Sequence, residues 1–365
     1  MFGVLAATPN SEFRCDELEP SSMRIAYLSV DAPEWLAFID QNPGTSPYHT
    51  PAWSSLIAEC YGFRPFVLAA VTDGNTVRAG VPVLEVAHWG GKKRWVSLPF
   101  TDACPVLHQD SQAAGLLIEH LSDLCQGGEL ASAEVRGPCP EHKRVHARGR
   151  FVHHALPLCS DAQFVFKTFS PSRVGQKIRQ ASKRGVTVRF GNTSADLEIF
   201  YQLFVKTHHR LGVPVQPKLL FRLLQTKVIA KGLGYTLLAY KDATPIAGLV
   251  FLCFGKTVAA KYAASDPEFW TLRPNNLLYW EAIQWGCNQG FSAFDMGRTD
   301  EDDQNLREFK NGWGTVEEPL SYSVVSIRPP KESSGRLYRC LQPVLRGSPP
   351  WVCRALGQYF YKYAA

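Results

Sequence analysis

Two β-hairpins of similar sequence, one in each half of the chain, most limit the possible fold. The first joins residues 66–71 to residues 77–86, and the second joins residues 235–240 to residues 245–254. A strand, a helix and another strand follow each hairpin, and this repeated order indicates an internal duplication. Two unrelated hairpins of a common type are the alternative. We predict an α+β protein of two units, each a mixed, mostly antiparallel twisted sheet flanked by helices.

The length of 365 residues suits two domains better than one core. We place a lead-in at residues 1–22, a first domain at 23–155, a second domain at 156–330 and a basic tail at 331–365. A loop rich in glycine, proline and histidine is expected at residues 137–150. The last strand, residues 320–327, is expected to close the sheet.

The ten cysteines form no Cys-x-x-Cys pair, so they give no sign of a zinc site or a redox dithiol. Residues 1–13 lack the basic and apolar regions of a signal peptide. The longest apolar run, residues 246–254, is too short to span a bilayer. These features predict a cytoplasmic protein.

A short strand predicted at residues 291–296 leads to residues suited to ligand binding. Gly297 lets the backbone approach a partner closely, and Arg298 follows, which we expect at the strand's carboxyl end, where ligands bind in α/β sheets. Lys310 comes next, on a turn or short helix. Two cations here suit a phosphate-bearing substrate or a developing oxyanion. The alternative is a surface arginine and lysine paired with carboxylates.

A helix predicted from Ser170 to Arg184 carries five cations and no acid: Arg173, Lys177, Arg179, Lys183 and Arg184. Such a helix repels itself unless an anion is near. Contact with a nucleotide, a lipid diphosphate or a charged tRNA is one interpretation, and a solvated basic face is the other. Val174, Ile178 and Ala181 are expected to face the core.

Other clusters of polar residues lack the spacing of a known site. His142 and His146 fall in the predicted loop, His208 continues an apolar helix face, and the acidic residues 300–303 lack the pattern of a calcium loop. We predict no metal and no tightly bound cofactor.

Five short motifs occur in a characteristic order. They are Lys177-x-Arg179-x-x-x-Lys183-x-Gly185, Arg210-x-Gly212-x-Pro214, Pro274-Asn275-Asn276-Leu277, Gly297-Arg298 and Phe309-Lys310-x-x-Trp313-Gly314. This order resembles the FemAB-type branch of the GNAT acyltransferase superfamily. Ser97-Leu98-Pro99-Phe100 with Asp102, and Pro47-Tyr48-x-x-x-x-Trp53, fit the first domain of that family. The resemblance covers about residues 24–327.

The resemblance implies two tandem GNAT-like domains that transfer an acyl or aminoacyl group to an amine of a cell-wall or exopolysaccharide precursor. It implies that Lys310 stabilises the tetrahedral oxyanion. Substrate contacts would come from Arg298, Lys177, Arg179, Asn275 and Asn276. The donor would be aminoacyl-tRNA or acyl-CoA. The chain lacks the coiled-coil arm of some wall-bridge enzymes and a glycine-rich loop at residues 271–276, which leaves the donor open.

Two alternatives to this function remain. One is an acyl-CoA-dependent N-acetyltransferase of the GNAT type. The other is a non-catalytic partner of a polysaccharide assembly complex that keeps the fold without the chemistry.

The tail at residues 331–365 carries most of the net charge. It has six cations and one acid, whereas the whole chain has a net charge of +6. The rest is close to neutral, which argues against a DNA-binding body. Cations and large apolar residues alternate in the tail, and residues 347–350 divide it into two short helices. This composition favours docking on anionic lipid at the inner face of the membrane, near a lipid-linked acceptor. The alternative is an arm packed on the protein itself.

Overall fold

The computed structural model describes residues 22–87, 93–191, 193–330 and 336–361, without the side chains of residues 87, 336–341, 359 and 360. In the first part of the chain, two helices precede a hairpin, and a third helix joins two later strands. The elements are β1 (Met23–Leu28), α1 (Pro33–Gln41), α2 (Pro51–Tyr61), β2 (Arg64–Thr72), β3 (Val77–Ala87), β4 (Lys93–Val96), β5 (Leu107–His108), α3 (Ser111–Gly127) and β6 (Leu130–Val135).

The second part repeats the hairpin and adds more helices. A single π-helical turn at Pro171–Gly175 leads into α5, and α6 begins at a capping box of Thr193 and Asp196. The elements are β7 (Val145–Pro157), α4 (Ala162–Thr168), α5 (Gln176–Lys183), β8 (Val186–Gly191), α6 (Ser194–Leu211), α7 (Lys218–Lys227), β9 (Gly234–Lys241), β10 (Thr244–Phe254), β11 (Thr257–Ser265), α8 (Pro274–Asn288), β12 (Ala293–Asp300), α9 (Gln304–Asn311), β13 (Val316–Val325), α10 (Arg336–Gly347) and α11 (Pro350–Phe360).

The named strands form one mixed sheet in the order β1-β2-β3-β4-β6-β13-β7-β12-β11-β10-β9-β8, with β5 paired to β3. Among the strands in the described ranges, only β4–β6 and β11–β12 pair in parallel; the other pairs are antiparallel. This confirms the predicted α+β class and its mostly antiparallel sheet. Both predicted hairpins form, and Ala79 and Ala247 hold similar places in them, opposite Ala70 and Ala239.

The centre of the sheet differs from the sequence-based expectation. Residues 145–150, predicted as loop, are the start of β7. This strand is hydrogen-bonded to β12 on one side and to β13 on the other. Its many polar residues give no apolar pattern from which a strand could be predicted. β13 lies between β6 and β7 and so joins the halves instead of closing an edge. The predicted domain boundary after residue 155 falls inside β7, and the division into domains stays a prediction.

A shared apolar cluster also holds the halves together. Trp53 and Leu56 of α2 belong to the same buried cluster as Phe204 of α6 and Phe221 of α7. In a second cluster, Val174, Ile178 and Ala181 are buried, as their spacing predicted. Burial on both sides therefore fixes the position of the sheet on which the candidate site lies.

The C-terminal arm, residues 336–361, packs on the protein through one side. Leu345 and Cys353 are buried, and the Val215 amide donates to the Cys353 carbonyl at 3.0 Å. A Cβ at Gly357 would lie 1.7 Å from the Val215 carbonyl oxygen, so only glycine fits there. The packed-arm alternative therefore holds for this side. Within the described ranges, no helix is long and apolar enough to cross a bilayer.

Candidate active site

A bulge in β12 forms the centre of the candidate site. Opposite β7, Asp295 pairs with Ala155 and Arg298 pairs with His153, so β12 holds one extra residue between these pairs. Gly297 adopts a φ of 72°, and the Asp295 carboxylate accepts its amide hydrogen at 2.6 Å. The sequence had suggested that Arg298 lies at the end of the strand. This was wrong, because β12 continues to Asp300 and Arg298 lies within it. The extra residue turns the backbone there without ending the strand.

Lys310 holds this bulge from the other side. From α9, the buried Lys310 ammonium donates to the carbonyl oxygens of Gly297 and Arg298, each at 2.9 Å. Removal from water lowers the pKa of Lys310 to about 8, although the carboxylates of Asp102 and Asp295 oppose that shift. An ammonium has three N–H donors, so one makes no bond to the described residues, although Lys310 itself lines neither of the two cavities that meet at Arg298.

Asp295 also binds a histidine of the neighbouring strand. His153 Nε2 lies 2.8 Å from Asp295 Oδ1. Burial acts to lower the pKa of His153, but the Asp295 carboxylate outweighs it and the pKa is raised. Burial acts to raise the pKa of Asp295, but the charge and the hydrogen bond of His153 outweigh burial, and the pKa of Asp295 is lowered. The pair is therefore a buried ion pair that fixes the amide side of the bulge.

The loop from Ser97 to Cys104 brings Asp102 against this bulge. Leu98 and Phe100 both have a φ of 61°, a strained conformation for residues other than glycine. Tyr322 donates its hydroxyl to the Asp102 carbonyl at 2.7 Å. A Cβ at Gly297 would lie 2.5 Å from Asp102 Oδ2. Among the described residues, no hydrogen bond or ion pair engages the Asp102 carboxylate, so it is available to a substrate.

Lys261 of β11 anchors the same loop. Its ammonium donates to the Phe100 carbonyl at 2.7 Å and lies 5.2 Å from the ring centre of Tyr48, 5.4 Å from Trp53 and 5.5 Å from Tyr262. Burial lowers the pKa of Lys261. The three rings hold the cation by cation–π attraction and fix the loop that carries Asp102.

Arg298 lies where two cavities meet. Its guanidinium stacks 4.1 Å from the Phe151 ring centre and 5.4 Å from that of Tyr322. Among the described residues, no acceptor hydrogen-bonds to it. An outer cavity of about 950 Å³ also contains Arg136, Arg148 and Arg150. The inner cavity, about 360 Å³, contains Asp102 and Lys261. A guanidinium held by rings alone is ready to bind an anion in either cavity.

One buried carboxylate orders the arginines of the outer cavity. Glu134 Oε2 lies 2.6 Å from Arg148 Nη1 and 3.0 Å from Arg94 Nη2, and Glu134 Oε1 lies 3.4 Å from Arg136 Nε. One negative charge therefore faces three positive charges. Asp300, Glu301, Asp302 and Asp303 line the same cavity, so its wall as a whole carries no excess of positive charge.

The other predicted substrate contacts lie apart from this centre. Lys177 and Arg179 of α5 line neither cavity, and Arg179 stacks 5.9 Å from the Phe166 ring centre. Asn275 and Asn276 open α8; Asn275 Nδ2 donates to Ser265 Oγ at 3.3 Å, and Asn276 Nδ2 is buried without a partner. The roles assigned to these residues stay predictions.

The sequence did not reveal the roles of Lys261, His153 and Asp295. Each sits on a strand among ordinary core residues, and only the fold brings them to the candidate site. For metals, no group of three His, Cys, Asp or Glu side chains in the described ranges lies close enough to bind an ion.

Comparison with known proteins finds a family model that matches part of the second half. The family model for the acetyltransferase (GNAT) domain matches residues 171–311. No curated protein is a significant match to the sequence.

Several solved structures share the fold of most of the chain. FemX superposes with a TM-score of 0.67 at 14% identity, over 87% of this chain and 100% of its own. L-PGS from Bacillus licheniformis gives 0.53 at 14% identity, over 88% and 99%. A tandem GNAT protein from the clavulanic acid biosynthesis pathway gives 0.50 at 10% identity, over 85% and 100%. Residues 171–311 therefore match the acetyltransferase (GNAT) domain, within a chain that has the fold of FemX.

Proposed function

We propose that this protein transfers an acyl or aminoacyl group to an amine of a cell-wall or exopolysaccharide precursor. The observation that carries this proposal is the buried Lys310 ammonium beside an unengaged carboxylate, Asp102, and a stacked guanidinium, Arg298. The fold shared with FemX and L-PGS supports transfer of an aminoacyl group.

The reaction joins the acceptor nitrogen to the acyl carbon. The neutral amine attacks the carbonyl carbon. The carbonyl oxygen becomes an oxyanion, which accepts a hydrogen bond from the free N–H of Lys310. The Asp102 carboxylate accepts the proton that the nitrogen loses. The intermediate then collapses, the bond to the donor oxygen or sulfur breaks, and the leaving group takes up a proton.

The arginines bind the anionic part of a substrate in this proposal. Arg298 lines both cavities, so it can hold a phosphate while the reacting groups lie near Lys310. Arg136 and Arg148 line the outer cavity with Arg298 and can contact the same phosphate.

Acyl-CoA is a second candidate donor. Asn276 has a buried amide nitrogen without a partner in the first turn of the fifteen-residue helix α8, and helix N-termini attract phosphate groups. A rise in melting temperature with acetyl-CoA that disappears in Asn276→Leu would support this donor. An unchanged melting temperature with acetyl-CoA would favour aminoacyl-tRNA.

Mass spectrometry of wall and polysaccharide intermediates tests the proposed acceptor. Cells that lack the protein should accumulate an intermediate lighter by one acyl or aminoacyl group, and the wild-type chain should restore the mass. Identical intermediates in both strains would contradict the proposal and favour the non-catalytic alternative.

A further inference from the structure

The outer side of the C-terminal arm exposes apolar and basic side chains together. Val344 of α10 is 65% exposed, and Trp351 of α11 is 61% exposed. These two residues flank the corner at Ser348-Pro349 between the helices. Arg346 and Arg354 are exposed beside them, and Arg210 and Leu211 are exposed at the end of α6. We call this surface, comprising Arg210, Leu211, Val344, Arg346, Trp351 and Arg354, the arm surface.

The arm surface has a fixed shape. Arg346 donates from Nη2 to the Leu211 carbonyl oxygen at 3.3 Å, and Leu345 and Cys353 are buried beneath it. Exposed Val344 and Trp351 are therefore held outward on a packed base. Large apolar groups kept in water in this way usually meet a partner.

Charge decides which partner fits. Residues 336–361 contain no aspartate or glutamate. A second copy of the chain meeting this surface with its own would bring arginines together, which is unfavourable. A nucleic acid would pair with the arginines but leave Val344 and Trp351 in water. An anionic bilayer satisfies both, because tryptophan and aliphatic groups enter the interface while arginines bind lipid phosphates.

We propose that the arm surface docks the protein on membranes that contain anionic phospholipid. The docking does not depend on the transfer reaction, but it places the candidate site near the membrane. His208, from the last turn of α6, and Tyr361, which follows α11, both line the inner cavity. The arm thus connects the docking surface to the wall of the site.

Co-sedimentation of the full chain with vesicles tests the proposal. The protein should sediment with vesicles of phosphatidylcholine and phosphatidylglycerol, much less with phosphatidylcholine alone, and less as salt is raised. Val344→Ser with Trp351→Ser should lower the partition coefficient at least about tenfold, and Arg354→Gln should lower it about fivefold.

Matched controls separate docking from a general effect of composition. Phe164→Ser removes a side chain that is 60% exposed on α4, and Lys231→Gln removes an exposed cation elsewhere. Neither should alter vesicle binding, and all variants should keep the wild-type melting temperature. Quenching of tryptophan fluorescence by brominated lipid should decrease in Trp351→Phe.

Four outcomes would overturn the proposal. They are absence of binding to anionic vesicles, equal binding to vesicles without anionic lipid, equal loss in the control variants, and brominated-lipid quenching unchanged in Trp351→Phe. Binding of bulk tRNA that Arg354→Gln abolishes, without vesicle binding, would assign the surface to nucleic acid. A dimer that Trp351→Ser dissociates, without vesicle binding, would assign it to a second copy of the chain.

Discussion

The ammonium of Lys310 donates to the carbonyl oxygen of Gly297 at 2.9 Å, and a second bond from it reaches Arg298. On the opposite side, the Asp295 carboxylate accepts the Gly297 amide hydrogen. The bulge is thus held through the Gly297 amide on one side and through the Gly297 and Arg298 carbonyl oxygens on the other. Lys310 both shapes the site and presents a charge to it, so tests must separate these two roles.

Gly297→Ala should impair the protein by two mechanisms. A φ of 72° costs a residue with a side chain about 1–2 kcal/mol, and the new Cβ would meet the Asp102 carboxylate. Gly290→Ala is the matched control, because its φ is 77° and no heavy atom lies within 4 Å of the added Cβ. Thermal melting should show similar losses from backbone strain, with an additional loss of transfer activity in Gly297→Ala alone. Equal activity in both variants would show that Asp102 need not occupy its present position.

Activity should fall as the pH rises above about 8. The pKa of Lys310 is lowered to about 8, and only its charged form can stabilise an oxyanion. The dependence of kcat/KM on pH should therefore show a basic limb near pH 8, measured with a donor and an acceptor amine that do not titrate there. A flat profile to pH 10 would contradict a charged Lys310 in the reaction.

The fold was largely predictable, whereas the centre of the site was not. The hairpins and the burial of Val174 and Ile178 follow from local alternation and helical spacing, which are encoded within short segments. β7 escaped prediction because pairing on both sides, and not an apolar pattern, makes it a strand.

The site residues show the same distinction. Lys310 and Arg298 stand in short motifs, so the sequence alone pointed to them. Lys261 and His153 have no such motif, and their closeness to the site depends on contacts between residues far apart in the chain. For Lys177 and Arg179, charge density suggested a shared site, but α5 places them outside both cavities.

Arg298→Lys should weaken substrate binding although it keeps the charge. A lysine cannot stack on Phe151 as a planar guanidinium does, nor form two parallel bonds to a phosphate. We expect KM for the anionic substrate to rise about tenfold to a hundredfold. Arg150→Lys is the control, because Arg150 lines the same outer cavity but is 84% exposed and paired with Glu301. Equal effects of the two variants would remove Arg298 from its proposed role.

The ion pair between His153 and Asp295 should make stability depend on pH. Folding raises the pKa of His153, so this residue adds stability when the pH is below its pKa in the unfolded chain. That stability is lost as the pH rises through its pKa in the folded protein. The lowered pKa of Asp295 adds stability that is lost in acid. The difference in melting temperature between wild type and His153→Gln should therefore be larger at pH 5.5 than at pH 8.5. A difference independent of pH would mean that His153 is not charged in the folded protein.

Transfer kinetics of Lys310→Met test the central claim most directly. Methionine keeps much of the side-chain volume but removes the charge and the N–H donors. With aminoacyl-tRNA and acyl-CoA as donors and product measured by mass spectrometry, we predict that kcat falls at least about a hundredfold, with a melting temperature within a few degrees of wild type. Full transfer activity in a correctly folded Lys310→Met protein would contradict the account.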